Sequence, residues 1–398
     1  MVPSIRKAYN ENFTQEKYNV FLADLNSKYP DALQFRIAET PVFVDRDFKN
    51  KILSACESIV DVITGYNFKT LTSHAIPANV RVPNENEHTH FIAFDFGICE
   101  NEQGELEPQL IEMQGFPTLF AYEVYVDAVT RKHFDIPENY SAYLGGYEEA
   151  TYIQLLKEII LGNHQPENVI LLEILPHQQK TKMDFYCTAE YTGIPIICLT
   201  ELIQDEKKLF YEKDGKKIEI KRIYNRIIFD DLQQQTEAIQ EKGKLLLEDL
   251  EVEWVPHPNW FYRISKYTLP FIDHPYVPKT RFLNEIHVLP TDLENYVLKP
   301  LFSFAGQGVV IDVTLADIEK VQDHENWILQ RKVKYADIIV TPDTPAKAEL
   351  RIFYFWKDGE PRPVPTNNLA RLSKGKMIGV RYNQDKQWVG GSLAYFEK

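Results

Sequence analysis

The sequence predicts a mixed α+β and α/β fold in three parts, and three observations carry that prediction. Helix-like and strand-like periods alternate between about residues 135 and 252, strand-like runs prevail on both flanks, and a strand ending in a lysine enters a glycine-bearing loop and a second strand at 296–313. Bulk agrees with them: 398 residues, 44% apolar, with 22 Tyr and 23 Phe, suffice for roughly two or three cores. The parts are read as 1–134, 135–252 and 253–398, with no low-complexity linker and no internal repeat to sharpen their limits.

In the first part, 48–64 has helical periodicity, and 90–99 and 108–113 read as strands joined by the turn ENEQGE, with Gly104 near its end. Asp95 stands between Phe94 and Phe96, and Glu112 between Ile111 and Met113, so each carboxylate lies in a run expected to be largely buried. A buried acid needs a partner. If the strands are hairpin neighbours, Asp95, Glu112 and Gln114 converge as oxygen ligands suited to Mg²⁺; the same pair also reads as structural acids bonded to backbone or to arginine. His88 and His90 share a strand face, and without a third ligand they read as plain polar residues.

The second part alternates. A helix at 147–161 stops at Gly162-Asn163, an apolar strand follows at 168–173, a helix at 180–191 is closed by Gly193, and 194–199 is a further buried strand. Runs 208–213 and 216–224 flank Asp214-Gly215, a strong hairpin signal, and 232–250 reads as one helix. This spacing predicts a small, mainly parallel α/β unit.

The third part holds YVLKPLFSFAGQGVV. Lys299 ends a strand, Pro300 stops the ladder for want of an N–H, and Ser303, Gly306, Gln307 and Gly308 make the turn. Two glycines can bring N–H groups close to an anion, with Lys299 as a point charge, so the segment reads either as a triphosphate site or as an ordinary hairpin with a bulge glycine. It is not a Walker A loop, because strand and not helix follows. Further strands are expected at 327–333, 349–356, 364–369 and 390–396. Lys266 alone reads as a snorkelling lysine. Glu349 and Arg351 share a strand face and read as a surface ion pair, and Arg371 and Asn383 read as loop polar groups.

A net charge of −14 and the lack of a basic stripe argue against nucleic acid as a partner, and no run approaches the ~18 apolar residues of a membrane span. A cytoplasmic protein is expected, with the widely spaced Cys56, Cys99, Cys187 and Cys198 as buried small hydrophobes.

Taken in order, these elements resemble glutathionylspermidine synthetase and the wider circularly permuted ATP-grasp ligases. FDFGICENEQGELEPQLIEMQGFPTLFAYEV is similar to that family's metal segment, with Asp95, Glu112, Gln114 and the Pro117-Thr118 turn at matching positions. HPNWFYRISKYTLPF, YVLKPLFSFAGQGVV and WILQRKV are similar to its ATP lysines (Lys266 and Lys299), its phosphate loop and its adenine-side strand near Gln330 to Val333. ELRIFYFW and PTNNLARLSKG place Arg351 and Arg371 at its basic positions. The resemblance implies an ATP-grasp fold with an inserted α/β domain, ATP and Mg²⁺ as cofactors, and ligation of a small carboxylate to an amine (an amino acid, peptide or polyamine) through an acyl phosphate. Arg351 and Arg371 would then act on the acyl phosphate and the oxyanion. Two departures stand out: Gln114 replaces the family's Asn, and Ala93 falls where the family has an arginine. A kinase on the same fold and a noncatalytic nucleotide-binding protein are the alternatives, and oligomeric state is not legible.

On this reading the 303–308 loop closes over phosphate, and limited proteolysis there should be suppressed by ATP with Mg²⁺. Cleavage at an unchanged rate at any nucleotide concentration would contradict the assignment.

Overall fold

The computed structural model describes residues 2–302, 308–375, 378, 383 and 385–398. Its central element is a five-stranded antiparallel sheet whose order is Gly390–Ser392, Val364–Ser373, Lys347–Phe355, Phe91–Glu100, Leu106–Gln114. Strands from the first and the last part therefore share one sheet. Side-chain alternation gives it two faces. Phe94, Phe96, Ile98, Leu350, Ile352 and Leu372 share a core with helix Arg46–Ile63, which is capped at Asp45 and apolar at Phe48, Ile52, Ala55, Ile59 and Ile63. Phe91, Ala93, Phe353 and Phe355 on the other face pack with helix Phe120–His133, where the Phe120 ring lies 4.9 Å from both Phe353 and Phe355. Each buried aromatic contributes about 1.5–3 kcal/mol.

The middle of the chain forms the expected parallel sheet. Its order is Glu253–Val255, Arg222–Asn225, Val169–Glu173, Ile196–Cys198, with all neighbours parallel, so its fourth strand lies beyond residue 252. Helix Glu149–Leu161 ends on Gly162 (φ 55°) and helix Lys182–Thr192 on Gly193 (φ 82°), the conformations that favour glycine at helix ends. Arg222 ties this unit to the large sheet. It is buried, and its guanidinium donates to the carbonyls of Ile159 and Ile160 and to Glu253 and Asp358.

Four expectations change. The 216–224 strand breaks at Lys221: Lys216–Ile220 completes the Asp214-Gly215 hairpin, while Arg222–Asn225 joins the parallel sheet. The 232–250 helix is instead Phe229–Leu232, Glu237–Gly243 and a 3₁₀ turn Lys244–Leu247. A Cβ on Gly243 would sit 2.3 Å from Leu232 Cδ2, so the two short helices close on each other where one long helix could not. The 390–396 run divides between two sheets, as Gly390–Ser392 and Ala394–Glu397. His90 is not part of an open polar face: it is buried, with Nε2 3.1 Å from Asp358, and His88 stacks on Trp356.

The lysine hairpin forms as read. Tyr296–Pro300 pairs antiparallel with Val310–Ile311 and with Trp327–Arg331, and Thr280–Phe282 flanks the latter. All four cysteines are buried. Among the described residues no helix is long and apolar enough to cross a membrane.

Candidate functional site

Asp95 lies opposite Arg351 on one side and Glu112 on the other, and Glu349 lies opposite Arg371. Register and alternation thus put five charged side chains on one sheet face. Asp95 is 1% exposed. Arg351 grips it in a bidentate pair, Nε to Oδ1 at 2.5 Å and Nη2 to Oδ2 at 2.6 Å, and Arg371 Nη2 donates to the same Oδ2 at 2.6 Å and to Glu349 Oε2 at 2.8 Å. The Tyr335 hydroxyl donates to Glu349 Oε1, and Arg351 Nη1 donates to Thr118 Oγ1 at 3.3 Å. Burial alone would push Asp95 up, but Arg351 and Arg371 hold it below the usual carboxylate range. Burial raises Glu349, against Arg371 and with help from Asp95.

Glu112 differs from Asp95. The sequence led us to expect both acids in the core, yet the Glu112 side chain is 47% exposed, with Arg351 Nη2 at 3.8 Å. A β-bulge explains the difference. Asp95 pairs with Glu112 but Phe96 with Leu110, which leaves Ile111 without a partner and re-aims the strand. The freed Ile111 carbonyl accepts from Lys299 Nζ at 3.2 Å, and Lys299 also donates to Gln330 Oε1 at 2.5 Å, whose Nε2 donates to Thr280 Oγ1 at 3.1 Å. The bulge thereby couples the acid hairpin to the lysine hairpin.

Lys266 opens the 3₁₀ helix Lys266–Phe271 after Ser265, which caps Tyr267 N. It is half-buried, in place of the snorkelling surface lysine read from sequence. Burial lowers it to about 8, with Lys299 adding to that and with Glu112 and Asp230 opposing. Burial likewise lowers Lys299, opposed by Glu112 and Glu349. Two lysines with weakened hold on their protons therefore border the acid and arginine cluster.

Of the residues read from sequence, Asp95, Glu112, Lys266, Lys299, Gln330, Arg351 and Arg371 come together. In place of the surface pair read from sequence, Arg351 pairs with Asp95 and Glu349 with Arg371 in the interior, and Arg371 is on a strand, not a loop. Gln114 is half-buried opposite the buried Ala93. Gly308 takes the left-handed conformation (φ 73°), whereas Ser303, Gly306 and Gln307 lie outside the described residues. Val333 falls past the strand end at Arg331. The Gln330 side chain is buried between Lys299 and Thr280. Tyr335 and Thr280 carried no signal in the sequence; they matter only through the partners the fold gives them.

A second polar region lies beside this one. In the parallel sheet the chain runs from Val169–Glu173 outward to Ile196–Cys198 on one side and then to Arg222–Asn225 on the other, so the crevice between the first and third of these strands is a topological switch point, where open α/β sheets bind ligands. Glu173 ends one strand, pushed up by burial to about 8. Arg226 follows the other, 8% exposed, with Nη1 donating to the Thr118 carbonyl at 3.0 Å. Arg226 Nε and Asp184 Oδ2 are buried with no hydrogen-bond partner among the described residues. Thr118 joins the two regions, its hydroxyl on Arg351 and its carbonyl on Arg226.

A magnesium ion fits this donor set only in part. Among the described residues no group of three or more His, Cys, Asp or Glu is arranged to hold a metal ion. Glu112 is open, and Gln114 is near it on the same strand, while both Asp95 oxygens are engaged by arginine.

No family model matches the chain, and no curated protein matches it. Among solved structures the fold is similar to that of a glutathione synthetase-like effector (GSS30) from Globodera pallida in its apo form, with a TM-score of 0.61 at 10% identity, over 100% of this chain and 99% of that one. The mixed α+β architecture is thus shared with that effector.

The lowered Lys266 has a consequence for anion binding. At pH 8.5 Lys266 is largely neutral before the anion binds, and a phosphate beside it favours the ammonium, so binding takes up protons. Calorimetric titration with tripolyphosphate in EDTA at pH 8.5 should give heats that depend on the buffer's ionisation enthalpy, an effect that fades at pH 6.5, where Lys266 is already charged. No buffer dependence at pH 8.5 would contradict this.

Proposed function

We propose that this chain is an ATP-dependent carboxylate–amine ligase on a circularly permuted ATP-grasp fold, releasing ADP and phosphate. The observation that carries the reading is the meeting, on one sheet face, of Glu112, Arg351 and Arg371 with the desolvated lysines Lys266 and Lys299. The glutathione synthetase-like fold supports it, as does the order of the elements, with the acid hairpin preceding the lysine hairpin.

The chemistry follows from charge. A carboxylate is a poor electrophile until a phosphoryl group is passed to it, and that transfer depends on positioning and neutralisation. Lys266 and Lys299 would neutralise the nucleotide phosphates, and their half-buried setting strengthens each contact. Arg351 and Arg371 would hold the acyl phosphate and then the tetrahedral oxyanion. Glu112 and Gln114 would offer oxygens to magnesium, which when bound neutralises charge between phosphates. The switch-point crevice is the natural place for the small substrates: Arg226 suits a carboxylate, Glu173 and Asp184 an amine, and Thr118 sets them beside Arg351.

A noncatalytic nucleotide-binding protein is the second reading, favoured by the engagement of both Asp95 oxygens. A screen of amino acids, peptides and polyamines should find a pair that releases ADP and free phosphate only when both acceptors are present. A stable phosphorylated product from one acceptor would mean a kinase, and no turnover with intact ATP binding would mean the second reading. Lys299→Met removes a charge-assisted phosphate contact worth about 1.5–3 kcal/mol, so ATP affinity should fall roughly ten- to a hundredfold. Parental affinity in this variant would remove Lys299 from the site.

A further inference from the structure

We propose that Asp95 is not a magnesium ligand but a positioning residue, the counter-ion that fixes Arg351 and Arg371 as a two-guanidinium clamp for an oxyanion, and that divalent-ion binding rests on Glu112 with Gln114. The inference rests on the nucleotide reading of this site and departs from the metal set that the sequence resemblance implies.

Magnesium requires near-octahedral oxygen coordination and keeps several of its waters, so a ligating carboxylate must turn a lone pair toward open, hydrated space. Asp95 offers none. It is 1% exposed, and three charge-assisted bonds at 2.5, 2.6 and 2.6 Å cover both of its oxygens. The donors come from two different strands, and each is held from a second direction: Arg351 by Thr118, and Arg371 by Glu349, itself held by Tyr335. This is an arrangement for aiming guanidiniums. Glu112, across the bulge, has the opposite character: its side chain is half-exposed, 3.8 Å from Arg351, and it faces Asp95 from the neighbouring strand.

Four carboxylates (Asp95, Glu112, Glu349 and Asp230) share the region with four cations (Arg351, Arg371, Lys266 and Lys299), so the fixed groups balance, and donor geometry rather than net charge selects the ligand. Arg371 has its side chain 34% exposed, and its Nε is a buried donor with no hydrogen-bond partner among the described residues. Planar guanidinium donors suit phosphate and carboxylate oxygens. The anion class is therefore a phosphoryl or acyl-phosphate oxyanion, held without an intervening metal at this end of the site.

The test separates the two acids. Mn²⁺ binding is followed by electron paramagnetic resonance without nucleotide, and tripolyphosphate binding is followed by calorimetry in EDTA. Glu112→Gln should weaken Mn²⁺ binding by tenfold or more, and Asp95→Asn by less than threefold. In EDTA the parent should bind tripolyphosphate, and Asp95→Asn should lose at least tenfold of that affinity. Removing a buried counter-ion endangers folding, so Arg371→Lys is measured in parallel. It keeps the charge but not the fork, and should weaken tripolyphosphate binding severalfold while leaving Mn²⁺ binding unmoved. An equal loss of Mn²⁺ affinity in Asp95→Asn and Glu112→Gln would overturn the proposal, as would unchanged tripolyphosphate affinity in Arg371→Lys. These readouts need no turnover, so a failure of the ligase reading in the substrate screen is distinguishable from a failure of the clamp.

Discussion

A carboxylate buried in a sheet interior must be neutralised where it stands, and the arrangement around Asp95 follows from that requirement. Desolvation of a charge costs several kcal/mol, and removing one member of a buried pair costs about 3–5 kcal/mol because the other is left stranded. Asp95 meets the requirement with Arg351 and Arg371, which lie 256 and 276 residues away in sequence. The five-stranded sheet has to form in one register for this to happen. A slip of one residue would turn Asp95 into the core of Phe94 and Phe96 and bring Phe residues to the charged face.

That register determines the remaining geometry. The bulge at Ile111 lets the same hairpin carry one buried acid and one exposed acid, and it supplies the carbonyl that Lys299 uses. Strands from both flanks of the chain close the sheet, so the region between them emerges as a separate parallel α/β unit. Arg222 and Thr118 then fix that unit beside the charged face. The charged sheet face and the switch-point crevice thus share a border without sharing a strand.

Much of this was legible from local pattern. Alternation gave the 91–114 hairpin, glycines at 162 and 193 marked helix ends because they adopt positive φ, and Lys299-Pro300 marked the strand end. Errors arose where a segment changes partner while its local pattern continues. Residues 216–225 keep a strand period across Lys221 although they serve two sheets, and 229–247 keep a helical period although Gly243 lets the chain fold back on Leu232. The site shows the same limit. Local pattern drew attention to Lys299 and Glu112, but only the family resemblance singled out Lys266, Arg351 and Arg371, and the saturation of Asp95 and the partners of Tyr335 and Thr280 depend on long-range pairing that no spacing encodes.

The most direct measurement is a crystal structure with a non-hydrolysable ATP analogue and Mn²⁺, located by anomalous scattering. The account predicts phosphate oxygens on Lys266 and Lys299, the manganese peak beside Glu112, and both guanidiniums still on Asp95. Manganese bonded to Asp95 with Arg351 displaced, or phosphates bound away from both lysines, would contradict it.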